Sequence, residues 1–351
     1  MPVEFNPEIL IAARGSRGRT QADLAEHMDW SQGKTSKVEH ALIRPEAAEV
    51  EKLADYLEYP TELFFLSESI AGFGSCCLYH RKRASTPVRV LSQLHDTINI
   101  RRIQIAQILK GATLPHEPVF PELDIDEYGD PEEVARMLRA AWALPRGPIR
   151  NLCDVLERAG GIVFAMDLGT PKIDAVSQRA KGIPPMFFLD RMKPVDRRRW
   201  TLAHEIGHIV MHVTPTPNAE SEADQFASEF LMPAREIRDD LRGLTIAKAA
   251  NLKLKWRVSM QAIIRRAKDV GAITADKYKS LCVQISQLGY RKNEPNPLEL
   301  EHPKMLRWII DVYLRDRDYS VAELSKVALC REDQFRRDFL SDDGPRLQVI
   351  A

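Results

Sequence analysis

Apolar residues recur at helical spacing along most of this chain. Residues 5–66 read as several short helices. In TQADLAEHMDWSQGKTSKVE, Thr20 caps a helix that buries Leu24, Ala25 and Met28; a tight turn comes next, and Ser31 caps a second helix with Val38 on its inner face. Residues 88–110 predict a long helix, with Leu91, Leu94, Ile98, Ile105 and Leu109 on one stripe. Helices are expected at about 131–142 and 148–159, the second ended by Gly160-Gly161. GIVFAMD, IDAVSQRAKG and PMFFLD then read as short strands. Two more helices come after them. The first carries TLAHEIGHIVMH, with Asp196 as its candidate cap and Ile206, Ile209 and Val210 as apolar surface. The second, AESEADQFASEFLMP, lies beyond the breaks at Pro215 and Pro217, with Asn218 as candidate cap. Its apolar face is Ala223, Phe226, Ala227, Phe230 and Leu231. Val258, Ile263, Ile264 and Leu281 read as the core of a helical C-terminal module. The tail SVAELSKVALCREDQFRRDFL repeats a helix-turn-helix rhythm without a base-reading polar set, so it reads as a packing element. Residues 73–87, with the run HRKRAS, and 111–130, proline-rich and acidic, read as linkers.

The chemistry gathers in Thr201–His212. His204-Glu205-Ile206-Gly207-His208 matches H-E-x-x-H. Residues four apart on a helix share a face, so His204 and His208 can bind one Zn²⁺. Glu205 projects beside them, suited to accept a proton from water activated by the metal. A third ligand is expected on the next helix. At about 100° per residue, Glu220 lies roughly 50° from the centre of the apolar face and Glu222 roughly 110° away. Glu220 therefore points toward the packed side and completes a His₂Glu set. Ala223 and Ala227 allow close helix approach, and Asp224 is placed to orient a ligand from outside the metal's own shell. His212 shares the histidine stripe, but two turns past His204 it sits far along the axis for a fourth ligand. A structural zinc site needs four protein ligands; three convincing ones favour a catalytic site.

RRRWTLAHEIGHIVMH together with the downstream ESEADQFASEFLMP resembles the ImmA/IrrE family of zinc metallopeptidases, where the H-E-x-x-H helix precedes a helix of pattern E-x-x-A-[DN]-x-F-A. Here those positions are Glu220, Ala223, Asp224, Phe226 and Ala227. The resemblance implies His204, His208 and Glu220 as metal ligands, Glu205 as base, and limited cleavage of a protein partner, often a repressor, in a stress response. A small sheet before the metal helix suits a zincin-like fold, where an edge strand can pair with an extended substrate. The segment LKLKWRVSMQAIIRRAKDVGAIT resembles the stretch C-terminal to the peptidase in helix-turn-helix-fused members.

The N-terminal pair of helices resembles the lambda-repressor-like (XRE-type) helix-turn-helix, with Gln21, Leu24 and Ala25 filling Q-x-x-L-A. By that analogy the second helix presents Gln32, Lys34, Thr35 and Lys37 to the major groove, and Gln21 and Gln32 can reach phosphate or base edges. Charge opposes this. Residues 1–66 hold 7 Lys+Arg against 12 Asp+Glu, whereas DNA binders gain affinity by neutralising phosphates. The opposite excess sits elsewhere. Residues 79–110 carry 7 Lys+Arg and one acid, and residues 246–292 carry 11 and 2. The first is a basic arm or a face docked on acidic surface of the same protein. The second, with Trp256, Tyr278 and Tyr290 interleaved, is a solvated helical face or a nucleic-acid surface.

Composition adds bounds. The 351 residues suffice for two or three domains, and the formal net charge is +0. Five cysteines form no C-x-x-C, Cys76 and Cys77 are adjacent, and neither a secretory signal nor a membrane-spanning run is evident, so a cytoplasmic protein is expected. The fold expected is α+β and mostly helical. A five-helix-type helix-turn-helix domain occupies 1–70, and a linker with the long basic helix 71–129. A zincin-like metallopeptidase domain with a small sheet occupies 130–240, and a helical C-terminal module 241–351. The partners expected are DNA and a protein substrate; a homodimer stays open.

Overall fold

The computed structural model describes residues 4–68, 70, 87–112, 120–180, 182–212 and 216–341. The first linker with its HRKRAS run, Cys76 and Cys77, and Pro215 lie outside the described residues. Packing divides the chain into two units: one holds the described residues up to 70, 87–112 and 304–341, the other those from 120 to 303.

The first unit begins with helices α1 (Pro7–Ser16), α2 (Gln21–Met28), α3 (Gln32–Glu39) and α4 (Ala47–Leu57), a 3₁₀ turn at Thr61–Phe65, and α5 (Val88–Lys110). Local chemistry sets the boundaries. Asn6 accepts from the amides of Glu8 and Ile9, Thr20 forms a capping box with Asp23, and Ser31 accepts from the amide of Lys34. Leu10, Leu24, Val38, Leu53 and Phe64 pack with Ile100 and Ile103 of α5 into one core. The long helix is therefore a spine of this unit. Its Arg101 and Arg102 are buried, and Arg101 donates to Asp338 at 2.5 Å. Of the two readings of its charge, this pairing matches docking on an acid of the same protein.

The second unit runs through α6 (Ile125–Tyr128), α7 (Pro131–Ala141), α8 (Leu152–Arg158), strands β1 (Ile162–Met166), β2 (Ala175–Gln178) and β3 (Met186–Asp190), α9 (Val195–Met211), α10 (Ala219–Leu231), α11 (Ala234–Ile237), α12 (Ile246–Trp256), α13 (Met260–Asp269) and α14 (Ala275–Gln287). Gly160 takes a left-handed φ of 88° where α8 gives way to β1. The sheet order is β1-β3-β2. β1 runs parallel to β3 with Ile162 opposite Met186, and β2 runs antiparallel with Ser177 opposite Phe187. α9 lies against β2 and β3 and against α10. One core joins Phe187, Leu202, Ile206, Phe226 and Phe230 to Trp256, Ile263, Ile264 and Leu281. Helices α12–α14 are thus built into the core around the sheet. The chain then returns to the first unit as α15 (Met305–Asp316), α16 (Val321–Val327) and α17 (Glu332–Phe335). There Leu329 joins the core of α1–α4, and the Tyr313 hydroxyl donates to the Ile108 carbonyl at 3.0 Å. This partition by packing differs from the linear one because hydrophobic spacing marks helices, not which core each helix enters.

Three features hold α9 and α10 in place. At Gly207 an added Cβ would lie 2.9 Å from Phe226, so glycine permits the close approach there. At the far end of α10, buried Glu229 pairs with buried Arg266, which also donates to the Met232 carbonyl at 3.0 Å and to Glu132 at 2.6 Å. Removing one member of such a buried pair costs about 3–5 kcal/mol. At the start of α9 the cap is Pro194, not Asp196. Asp196 lies inside the first turn and accepts from the buried Lys253 ammonium at 2.7 Å, tying α9 to α12. Asn218 does precede α10, but its side chain makes no capping bond.

Candidate metal centre and helix-turn-helix

His204 and His208 lie one turn apart on α9, and both are buried. Their Nε2 atoms are 3.0 Å apart. From α10, Glu220 Oε1 lies 3.3 Å from His208 Nε2 and Oε2 lies 3.8 Å from His204 Nε2. The three ligand atoms fall within 4.8 Å of one another. Ligands placed tetrahedrally around one ion at about 2.0–2.1 Å sit roughly 3.3 Å apart, so this donor set fits a small divalent cation with a fourth position left to other ligands. Glu220 faces the histidines, as the apolar stripe of α10 predicts, and Glu222 belongs to a different contact.

Asp224 accepts or shares the proton of His204 Nδ1 at 2.9 Å, leaving Nε2 toward Glu220. Burial pushes the His204 imidazole down, but the Asp224 hydrogen bond and the carboxylates of Glu205, Asp224 and Glu220 outweigh it and raise it above its ordinary value.

Glu205 is fully buried, and its Oε2 accepts from the Ser177 hydroxyl at 2.5 Å. Ser177 sits on β2, an edge strand, and is itself buried. Sequence pattern alone does not find it. Ser177 is one of two polar residues in the four-residue strand Ala175–Gln178, and contact with Glu205 depends on how α9 crosses the sheet.

His212, just past the helix end, stays out of the three-ligand cluster. Its Nδ1 lies 2.9 Å from His208 Nδ1 and its Nε2 lies 2.9 Å from Glu222 Oε2. Thr216 Oγ1 donates to the same Glu222 oxygen at 2.8 Å.

The helix-turn-helix residues are placed differently. On α3, Gln32 and Lys37 are exposed. Thr35 is a correction: it is fully buried, its hydroxyl directed at the Ser31 carbonyl at 3.3 Å, because it lies on the same inner face as Val38. Lys34 is half-buried, paired with Glu49 and set 4.7 Å above the Trp30 ring. Burial pushes the Glu49 carboxyl up, but hydrogen bonds from Lys34, the Glu46 amide and Trp30 hold it below the usual carboxylate range. Gln21 donates to buried Glu39 at 2.8 Å, and Glu39 also accepts from Arg14 Nε at 2.6 Å.

Comparison with known families identifies both regions. Residues 156–268 match the model of the IrrE N-terminal-like domain of the M78 peptidases. Residues 10–64 match a helix-turn-helix domain. No curated protein matches the chain. The chain therefore joins a helix-turn-helix domain to an IrrE-like peptidase-type domain. The peptidase match reaches past 240 and covers α12 and nearly all of α13, the helices that complete its core.

Proposed function

We propose that this protein is a zinc-dependent endopeptidase that makes limited cuts in a protein partner, a transcriptional repressor, and that its helix-turn-helix domain brings it to DNA. The observation that carries this reading is a three-donor cluster, His204, His208 and Glu220, beside a buried carboxylate, Glu205, that is not among the three. Three protein donors leave a coordination position for substrate, the pattern of a catalytic rather than a closed structural site. Zn²⁺ bound there supplies Lewis acidity, acidifying water and polarising a carbonyl.

The chain's own residues do the rest. Glu205 takes a proton from the attacking water and delivers one to the departing amine. Ser177 fixes the Glu205 carboxylate by donating to it. Asp224 fixes the tautomer of His204, so that Nε2 keeps its lone pair for the metal. β2 is a terminal strand of the sheet among the described residues, and an extended peptide added to it as a further strand would lie next to Ser177. Among the described residues, no helix is long and apolar enough to cross a membrane. A repressor is met where the DNA is, so the reading puts cleavage in the cytoplasm.

Glu205→Gln tests the reading. The amide keeps the size and loses the base. The variant is expected to fold, to retain zinc and to bind its partner, yet to cleave about 10²–10⁴-fold more slowly. Partner fragments are read by mass spectrometry in lysates of wild type and variant, under activating stress as well as at rest. The same fragments from both proteins would overturn hydrolysis at this site and leave a regulator whose metal is structural or sensory.

A further inference from the structure

Three histidines, His204, His208 and His212, succeed one another at four-residue intervals, and each is buried. The first two face Glu220 with Nε2. The third is separated from the donor cluster by His208 itself. Its contacts form a line: His208 Nδ1 to His212 Nδ1 at 2.9 Å, His212 Nε2 to Glu222 Oε2 at 2.9 Å, and Thr216 Oγ1 to that oxygen at 2.8 Å.

The chemistry of the rings orders this line. A His208 that offers its Nε2 lone pair to a cation must carry its hydrogen on Nδ1. That N–H has His212 Nδ1 before it, which must then accept. A neutral His212 accepting at Nδ1 carries its hydrogen on Nε2 and donates it to Glu222. One choice at the metal therefore sets the polarity of every bond to the Glu222 carboxylate. The two ligand histidines are supported unequally. His204 leans on Asp224, whose side chain is 43% exposed, whereas the His212 side chain is wholly enclosed. Inside protein, hydrogen bonds of this kind strengthen one another and are costly to leave unmade.

We infer that buried His212 and partly buried Glu222 form a relay that positions His208 for metal binding. His212 is a positioning residue and touches no reacting atom. The inference rests on the reading of His204, His208 and Glu220 as metal ligands.

The test uses full-length, zinc-loaded protein. Zinc affinity is read by competition with a chromogenic chelator, zinc release by its kinetics, and folding by circular dichroism. His212→Phe keeps a ring and removes both nitrogens. It is expected to weaken zinc about 10–100-fold, the usual effect of losing a residue that supports a ligand histidine, and to shift the visible bands of the cobalt-substituted protein. Glu222→Gln keeps an acceptor for His212 and is expected to stay within about threefold of wild type, while Glu222→Ala removes it and releases zinc faster. Glu222→Ala also serves if His212→Phe fails to fold. His204→Ala is the control. If it loses zinc while Glu222→Ala and a folded His212→Phe bind and release zinc as wild type does, the relay is overturned and the metal site stands. If His204→Ala keeps its zinc, the metal site falls and the relay with it.

Discussion

Two helices of this protein carry polar residues that invite a functional reading, and they use them in opposite ways. On α9, His204, Glu205 and His208 point into the interior, where they meet Glu220, Asp224 and Ser177. On α3, the polar side chains are spent or left outside: Lys34 on Glu49, Thr35 on its own turn, Gln32 and Lys37 in solvent. The contrast teaches where polar residues carry information. Burying an imidazole or a carboxylate costs several kcal/mol unless something compensates, so two buried histidines and a buried glutamate, gathered beside a partly buried one, point to a common task. An exposed glutamine or lysine costs nothing and so testifies to nothing by itself.

The contrast breaks most sharply at α10. Glu220 and Glu222 are two residues apart, similar in sequence context and different in partners. Glu220→Gln removes a charged donor from the cluster and is expected to take the protein from about one Zn²⁺ per chain to near none. Glu222→Gln is expected to leave zinc content unchanged. Both are read by metal analysis of purified protein after dialysis. The reverse pattern would mean that His212 and Glu222, not Glu220, complete the metal's surroundings.

A smaller effect sharpens the view of α9. Ser177→Ala removes a hydrogen bond to the buried base without touching a ligand. Partner cleavage is expected to fall about tenfold, with zinc content and affinity unchanged. A variant that lost metal instead would place Ser177 among the supports of the donor cluster rather than of the base.

Much of the candidate metal site was legible because it depends on local spacing. His204 and His208 are one helical turn apart, and the apolar stripe of α10 puts Glu220 inward without knowledge of any other element. Ser177 was not legible, since it reaches Glu205 only when α9 is laid across a sheet with β2 at its edge. The His212–Glu222 contact was half legible. Its distance along the axis sets His212 off the donor cluster, but its partner Glu222 is known only once α10 is laid beside α9. The Asp196 cap failed for the same kind of reason: a buried lysine 57 residues later claims that carboxylate. In the first unit, periodicity and caps mark α1–α4 and α5. They do not reveal that α15–α17 return to the same core, or that Arg101 and Arg102 are interior. Spacing reports which face of a helix is buried, and only assembly reports what buries it.

The smallest expected effect concerns α3, where sequence analogy treats Lys34 and Lys37 as equivalent. Their surroundings separate them. Lys37 is exposed and makes no ion pair among the described residues, so it is available to a phosphate at little cost. Lys34 must first leave Glu49 and the face of Trp30, and an acidic neighbour in contact opposes approach of DNA. Lys37→Ala in the full-length protein is expected to weaken binding to a duplex from its own genomic neighbourhood by about 1 kcal/mol. It should also lower the dependence of log K on log salt by about one, the signature of one lost phosphate contact. Lys34→Ala is expected to leave that slope nearly unchanged and to act, if at all, on the thermal stability of the domain, by up to about 1 kcal/mol, the scale of an ion pair still reached by solvent. Equal slope changes from both substitutions would show that Glu49 releases Lys34 on binding. No salt-dependent binding to any such duplex, in wild type as in both variants, would turn α3 into a protein-contacting helix and give its acidic surroundings a different explanation.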